Sequence, residues 1–151
     1  MNTIQLEEKW SKLITEKSSS FMSIKINENC KPNLYLGVNT KQNRCLLLLL
    51  PKGFDSNFIG ETKANITTTF NRKENCIVLE LLDNYYYNLF DDLIISLYFK
   101  IYKIEEVKES TSIFINTINK WAAFLANSRN NKLTEEVVKG LFGELTVLYE
   151  L

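Results

Sequence analysis

The stretch Cys45-Leu46-Leu47-Leu48-Leu49-Leu50 is an uninterrupted run of six apolar residues. Such a run is typical of a central β-strand that is covered on both faces of a sheet. Pro51-Lys52-Gly53 follows at once and ends the strand, because proline has no N–H to donate and glycine favours turns. The run therefore predicts the centre of a sheet, and the flanking segments can be interpreted around it.

Shorter segments on both sides of this run alternate between apolar and polar residues. Alternation of this kind is typical of strands with one buried face. It predicts four further strands, at Met22 to Ile26, Leu34 to Val38, Ala64 to Phe70 and Cys76 to Leu82. Residues 53–63 are interpreted as a loop. The short connections favour an antiparallel sheet of about five strands.

Outside this part the apolar spacing is that of a helix. One helix is predicted from Thr3 to Lys17, and three more at residues 86–101, 111–127 and 134–151. The expected fold class is therefore α+β: an N-terminal helix, an antiparallel sheet of about five strands and three C-terminal helices. Residues 1–84, the first helix with the sheet, and residues 85–151, the helical part, are predicted to pack as one domain.

The composition excludes several classes of site. The 18 basic and 18 acidic residues balance, whereas a dedicated nucleic-acid-binding domain usually carries a basic excess. The absence of histidine excludes histidine-based catalytic triads and ordinary histidine-ligated metal centres. Three cysteines without a C-x-x-C pair indicate buried, reduced thiols in a cytoplasmic protein. No apolar segment approaches the roughly 20 residues that span a membrane, so no membrane contact is expected.

The predicted last helix carries an acid, Glu144, within its apolar side. Glu144 follows Leu141 by three residues and precedes Leu148 by four, so the three side chains share one arc of a helix. A carboxylate there has to be paired, neutralised or bound to a cation, because an isolated buried charge is costly. The alternative is a place at the rim, in water or beside a lysine. Gly140 and Gly143 indicate close packing of another element on the same helix.

The segment Gly140-Leu141-Phe142-Gly143-Glu144-Leu145, followed by Leu148, resembles the G-L-x-G-E-L-x-x-L segment of a bacterial family of PD-(D/E)XK motif proteins linked to restriction and phage defence. The upstream order is similar too: a helix with Trp10, a strand-rich part and a helix with Trp121. The resemblance implies that residues 133–151 are the first helix of a nuclease core. It implies a catalytic role for Glu144 near a metal ion, Mg²⁺, and DNA as the partner of the full-length protein.

In that family, the metal is held by a later aspartate and an E-x-K pair, which would lie beyond Leu151. One glutamate cannot perform this chemistry, so no catalysis by this chain alone is expected. Three upstream triplets have the E-x-K pattern, at Glu7 to Lys9, Glu61 to Lys63 and Glu106 to Lys108. Chance alone would give nearly as many such triplets in a chain of this composition. The first lies in a helix, the second in a turn-like stretch and the third at the end of a helix.

Two other groups have alternative interpretations. Asp91 and Asp92 are adjacent acids on a predicted helix, where their side chains point about 100° apart and cannot readily converge on one ion. We interpret both as part of a solvated face. The tyrosines of Tyr85-Tyr86-Tyr87 could stack on nucleic-acid bases. No arginine accompanies them in the sequence, so core packing or helix docking is expected instead.

Three functions remain open at this point. The first is an N-terminal accessory or recognition module of a restriction-type or defence PD-(D/E)XK DNA endonuclease. The second is a stand-alone interaction or regulatory subunit that binds a protein partner or a second copy through the last helix. The third is a small metal-dependent enzyme that uses Asp55, Glu61 and Lys63.

Overall fold

The computed structural model describes residues 1–15, 21–53, 60–63 and 65–130. Within these ranges the chain forms an N-terminal helix, a six-stranded sheet and two long helices, which confirms the α+β class. The helices are α1 (Thr3–Thr15), α2 (Tyr87–Ile101) and α3 (Val107–Asn130). The strands are β1 (Met22–Lys25), β2 (Asn33–Val38), β3 (Arg44–Leu49), β4 (Glu61–Lys63), β5 (Ile66–Asn71) and β6 (Cys76–Leu81).

The sheet has the order β1-β2-β3-β6-β5-β4, and all neighbouring strands are antiparallel. The apolar run forms β3, which pairs with β2 on one side and with β6 on the other. Its predicted central position is confirmed. The connection from β2 to β3 has Gln42 at a φ of 66°, and that from β5 to β6 has Asn75 at a φ of 52°. Asparagine tolerates this left-handed conformation better than most residues do.

β4 lies in residues that were expected to form a loop. Its three residues pair with β5, with Glu61 opposite Thr68 and Lys63 opposite Ile66. A segment of this length is too short for a periodic pattern, so its extended conformation depends on pairing with β5. The turn-like interpretation of the Glu61 to Lys63 triplet was therefore wrong, although the antiparallel class holds.

The two faces of the sheet have different neighbours. On one face, alternate strand residues join side chains of α1, α2 and α3 in a single apolar core. The largest fully buried members of this core are Leu6, Trp10, Ile26, Leu34, Leu36, Leu46, Leu48, Ile77, Leu79, Phe90 and Phe114. We call the opposite face, with Tyr35, Cys45, Leu47, Leu49, Cys76 and Val78, the second face. These residues form a separate apolar cluster, in which no described side chain of α1, α2 or α3 takes part.

The helices after the sheet differ in their limits from the prediction. Asp83 caps the 3-10 turn Asn84–Tyr86 that precedes α2, because its Oδ1 accepts a hydrogen bond from the Tyr85 N–H at 3.0 Å. α3 begins at Val107, so the Glu106 to Lys108 triplet lies at the start of a helix and not at its end. The helix predicted for residues 134–151 lies outside the described residues.

Candidate functional site

Asp91 is buried, contrary to the prediction that it belongs to a solvated face. Its side chain is 2% exposed, whereas that of its neighbour Asp92 is partly exposed. Asp91 lies one turn into α2, on a side of the helix that faces α1 and β3. The prediction was wrong because it treated the acid pair as part of an isolated helix. In the folded chain, α1 covers one of the two acids.

Trp10 of α1 supplies the hydrogen bond to this carboxylate. Its indole Nε1 donates to Asp91 Oδ1 at a distance of 2.8 Å, and the tryptophan itself is 1% exposed. A buried indole N–H normally requires an acceptor, and Asp91 is that acceptor. The bond joins residues 81 positions apart in the sequence, so no local pattern could have revealed it.

Arg44, the first residue of β3, supplies the positive charge. Its Nη1 lies 3.8 Å from Asp91 Oδ2, within ion-pair range but beyond hydrogen-bond distance. The guanidinium carbon is 5.0 Å from the ring centroid of Trp10 and 5.0 Å from that of Tyr87. Both distances are within the range of cation–π attraction. The tertiary structure thus places Arg44 against Tyr87, although no arginine lies near Tyr87 in the sequence.

We call Trp10, Arg44, Tyr87 and Asp91 the junction, because they join α1, β3 and α2. Burial raises the pKa of the Asp91 carboxyl from 3.8 to about 6. The hydrogen bond from Trp10 and the charge of Arg44 lower it, and the nearby acids Asp92 and Glu7 raise it. Desolvation therefore outweighs the favourable partners. A carboxyl with such a pKa could exchange protons near neutral pH, but its low exposure favours a structural role.

A second polar group fixes the connection between β2 and β3. Glu80 Oε2 accepts hydrogen bonds from Asn39 Nδ2 at 2.9 Å and from Asn43 Nδ2 at 2.7 Å. Glu80 lies opposite Cys45 in the sheet, on the second face. These hydrogen bonds join the three polar side chains at this end of the sheet, so they form a structural network.

The second face carries a shallow cavity of about 470 Å³. Its lining consists of Phe21, Ser23, Leu47, Leu49, Asn71, Glu74, Cys76 and Val78. Phe21 lies close to the sheet because Gly37 has no side chain. A Cβ atom at Gly37 would be 2.6 Å from Phe21 Cζ. The cavity is mainly apolar, and in the described part of the chain it shows no set of converging catalytic groups.

The predicted site residues are only partly described. Glu144, Gly140, Gly143 and Asp55 lie outside the described residues, so their roles stay predictions. Glu61 and Lys63 are the first and last residues of β4. In residues 1–15, 21–53, 60–63 and 65–130, no group of three or more histidine, cysteine or acidic side chains could hold a metal ion.

All three cysteines are buried and free of disulfide bonds, which confirms the prediction of buried thiols. Burial raises the pKa of Cys30 to about 11 and that of Cys45 to about 12. These thiols are therefore poor nucleophiles at neutral pH. Among the described helices, none has the length and apolar character needed to cross a membrane.

The architecture defines the class of protein: an α+β fold with helices on one face of an antiparallel sheet. The chain belongs to the family DUF4420, described as "Putative PD-(D/E)XK family member", whose family model matches residues 6–151. The resemblance seen in the segment around Glu144 is thereby confirmed for the family. No curated protein and no solved structure matches the chain.

Proposed function

We propose that this chain is an N-terminal accessory or recognition module of a cytoplasmic, restriction-type or defence PD-(D/E)XK endonuclease. The observation that carries the proposal is the family match over residues 6–151, which includes the G-L-x-G-E-L-like segment at residues 140–145. In this proposal the sheet and helices support the start of a nuclease core, and the chain does not cleave DNA by itself.

Glu144 is the residue of this chain that we assign to the nuclease site. Carboxylate oxygens are the ligands that Mg²⁺ prefers in proteins, so Glu144 is chemically suited to bind the ion or one of its waters. In such a site the bound ion supplies Lewis-acid activation of the phosphate. The remaining ligands, an aspartate and an E-x-K pair, would come from other parts of the enzyme.

A nuclease assay tests this assignment. In the longest reading frame that contains this chain, Glu144→Ala and Glu144→Gln are expected to lower Mg²⁺-dependent DNA cleavage by about 10- to 100-fold, as loss of a residue near a metal typically does. The matched control is Glu150→Ala, which changes an acid that the helical period places away from the apolar side. Cleavage by the 151-residue chain alone, or full activity of both Glu144 variants, would contradict the proposal.

The second face favours a second candidate, an interaction module that pairs with another copy of this chain. Phe21 on this face is 43% exposed, and Leu49 and Val78 beside it are partly exposed. Apolar clusters with a polar rim are typical of protein interfaces. This candidate predicts a dimer in solution.

Light scattering across a concentration series checks the dimer. Phe21→Ser is expected to weaken self-association, since it removes an apolar side chain from the second face. Phe99→Ser is the matched control, because Phe99 on α2 is equally exposed, at 43%. A chain that stays monomeric at all concentrations rules out this second candidate.

A further inference from the structure

Two connections meet at one end of the sheet: the segment that follows β3 and the turn between β5 and β6. Leu49 of β3 lies opposite Cys76 of β6, so the residues after Leu49 lie beside those before Cys76. Asn75 joins the two segments. Its carbonyl oxygen accepts from the Leu50 N–H at 2.9 Å, and its Nδ2 donates to the Pro51 carbonyl at 2.6 Å. The two connections therefore form one hydrogen-bonded unit.

This unit carries three cations and one acid. Lys52 follows β3, and the turn before β6 contains Arg72, Lys73 and Glu74. All four residues are exposed. In the part of the chain that the structure describes, none of the three cations lies within ion-pair range of an acid. We call Lys52, Arg72 and Lys73 the basic corner.

The neighbouring cations at this end of the sheet differ from the basic corner, because each has an acid beside it. Lys25 Nζ lies 3.9 Å from Glu28 Oε2, and Lys31 Nζ lies 3.8 Å from Glu105 Oε1. These two pairs are close to neutral, whereas the basic corner is not. The zero net charge of the whole chain therefore hides a local excess of positive charge.

We propose that the basic corner binds phosphate groups of the DNA backbone, so that this module itself contacts the DNA of the proposed nuclease. The inference rests on the proposed function for the identity of the anion. Lysine and arginine side chains supply the attraction to the DNA backbone, and arginine can donate two parallel hydrogen bonds to one phosphate. Contacts of this kind position a protein on DNA without reading its sequence.

The backbone of the turn is ordered before any ligand binds. Asn71 Oδ1 accepts a hydrogen bond from the Glu74 N–H at 3.2 Å, and Asn75 holds the other end of the turn against residues 50–51. Association with DNA therefore requires ordering of the three long side chains but not of the backbone that carries them. A preformed backbone lowers the entropic cost of binding.

Fluorescence anisotropy of a labelled DNA duplex measures binding by the 151-residue chain over a range of salt concentrations. Three phosphate contacts predict a slope of about −3 for the logarithm of the association constant against that of the salt concentration. The double variant Arg72→Ala, Lys73→Ala should reduce the slope to about −1 and weaken binding about tenfold at about 0.1 M salt. Two duplexes of unrelated sequence should bind alike, since the contacts are to phosphates.

The matched control is the double variant Lys12→Ala, Lys41→Ala. It removes the same charge from two exposed positions, and Lys41 lies in the β2–β3 connection at the opposite end of the sheet. This control should keep both the affinity and the slope. Equal weakening by the two double variants would show a general effect of charge and overturn the proposal. Because all four positions are exposed, circular dichroism should show that both variants stay folded.

Three further outcomes would overturn the proposal. They are the absence of DNA binding at low salt, a slope unchanged in Arg72→Ala, Lys73→Ala, and binding to vesicles of anionic phospholipid without binding to DNA. None of them affects the proposed nuclease function, which the Glu144 variants test through cleavage. A nuclease that loses cleavage in those variants, but whose isolated module binds no DNA, keeps the proposed function and refutes only the role of the basic corner.

Discussion

Replacing Trp10 by alanine is expected to lower the free energy of unfolding by about 4 kcal/mol, the usual range for a buried tryptophan. The side chain is 1% exposed, so its removal leaves a cavity between α1 and α2. It also removes the N–H that bonds to Asp91 and one of the two rings beside Arg44. Denaturation by urea at pH 7, followed by circular dichroism, measures the change.

Two other substitutions in α1 show which part of the Trp10 side chain accounts for the loss of stability. Trp10→Phe keeps much of the apolar volume but lacks the N–H donor, so its effect should fall between wild type and Trp10→Ala. Ile4→Ala changes an apolar residue of the same helix that is 67% exposed, and its effect should stay within about 0.5 kcal/mol. A loss below about 1 kcal/mol for Trp10→Ala would show that α1 contributes little to the stability of the fold.

Asp91→Ala should destabilise the protein by about 3 kcal/mol at pH 7.5. The substitution leaves the partly buried guanidinium of Arg44 without its counter-ion, and breaking a buried pair in this way typically costs about 3–5 kcal/mol. The buried N–H of Trp10 also loses its acceptor, at about 1–3 kcal/mol. Removal of a poorly solvated carboxylate offsets part of this loss, since burial raises the pKa of Asp91 to about 6.

Asp91→Asn isolates the hydrogen bond from the charge. The amide oxygen can still accept from Trp10, whereas Arg44 loses its counter-ion in both variants, so the loss should be about 1–2 kcal/mol smaller than for Asp91→Ala. Urea denaturation of both variants measures the difference, with Glu8→Ala, at an exposed position of α1, as a control of small effect. Equal losses for Asp91→Ala and Asp91→Asn would mean that the bond to Trp10 does not contribute to stability.

The secondary structure was mostly predictable because its signals are local. The apolar run of residues 45–50 predicted the central strand, and alternation predicted its neighbours. β4 was missed because three residues carry no periodic signal, and their conformation depends on pairing with β5. α3 begins at Val107, earlier than predicted, since Val107-Lys108-Glu109 adds only one apolar residue to the helical pattern.

The candidate site residues were likewise predictable only where their signal is local in the sequence. Glu144 was identified from a short segment that resembles a family motif, and the family match over residues 6–151 supports that family. The role of Glu144 itself stays a prediction. The junction could not be identified from the sequence, because Trp10, Arg44 and Asp91 lie on three different elements. The adjacent acids Asp91 and Asp92 looked equivalent in the sequence, whereas one is buried and the other is partly exposed.

The sequence by itself determined the fold class, the central strand and the family, because these depend on periodicity and on a contiguous motif. Only the tertiary structure decided which charged side chains are buried and how they are paired. Asp91 is buried because α1 crosses the side of α2 that carries it, and its partners come from residues 10 and 44. Burial and electrostatic pairing depend on contacts between distant segments, and these contacts exist only after the chain has folded.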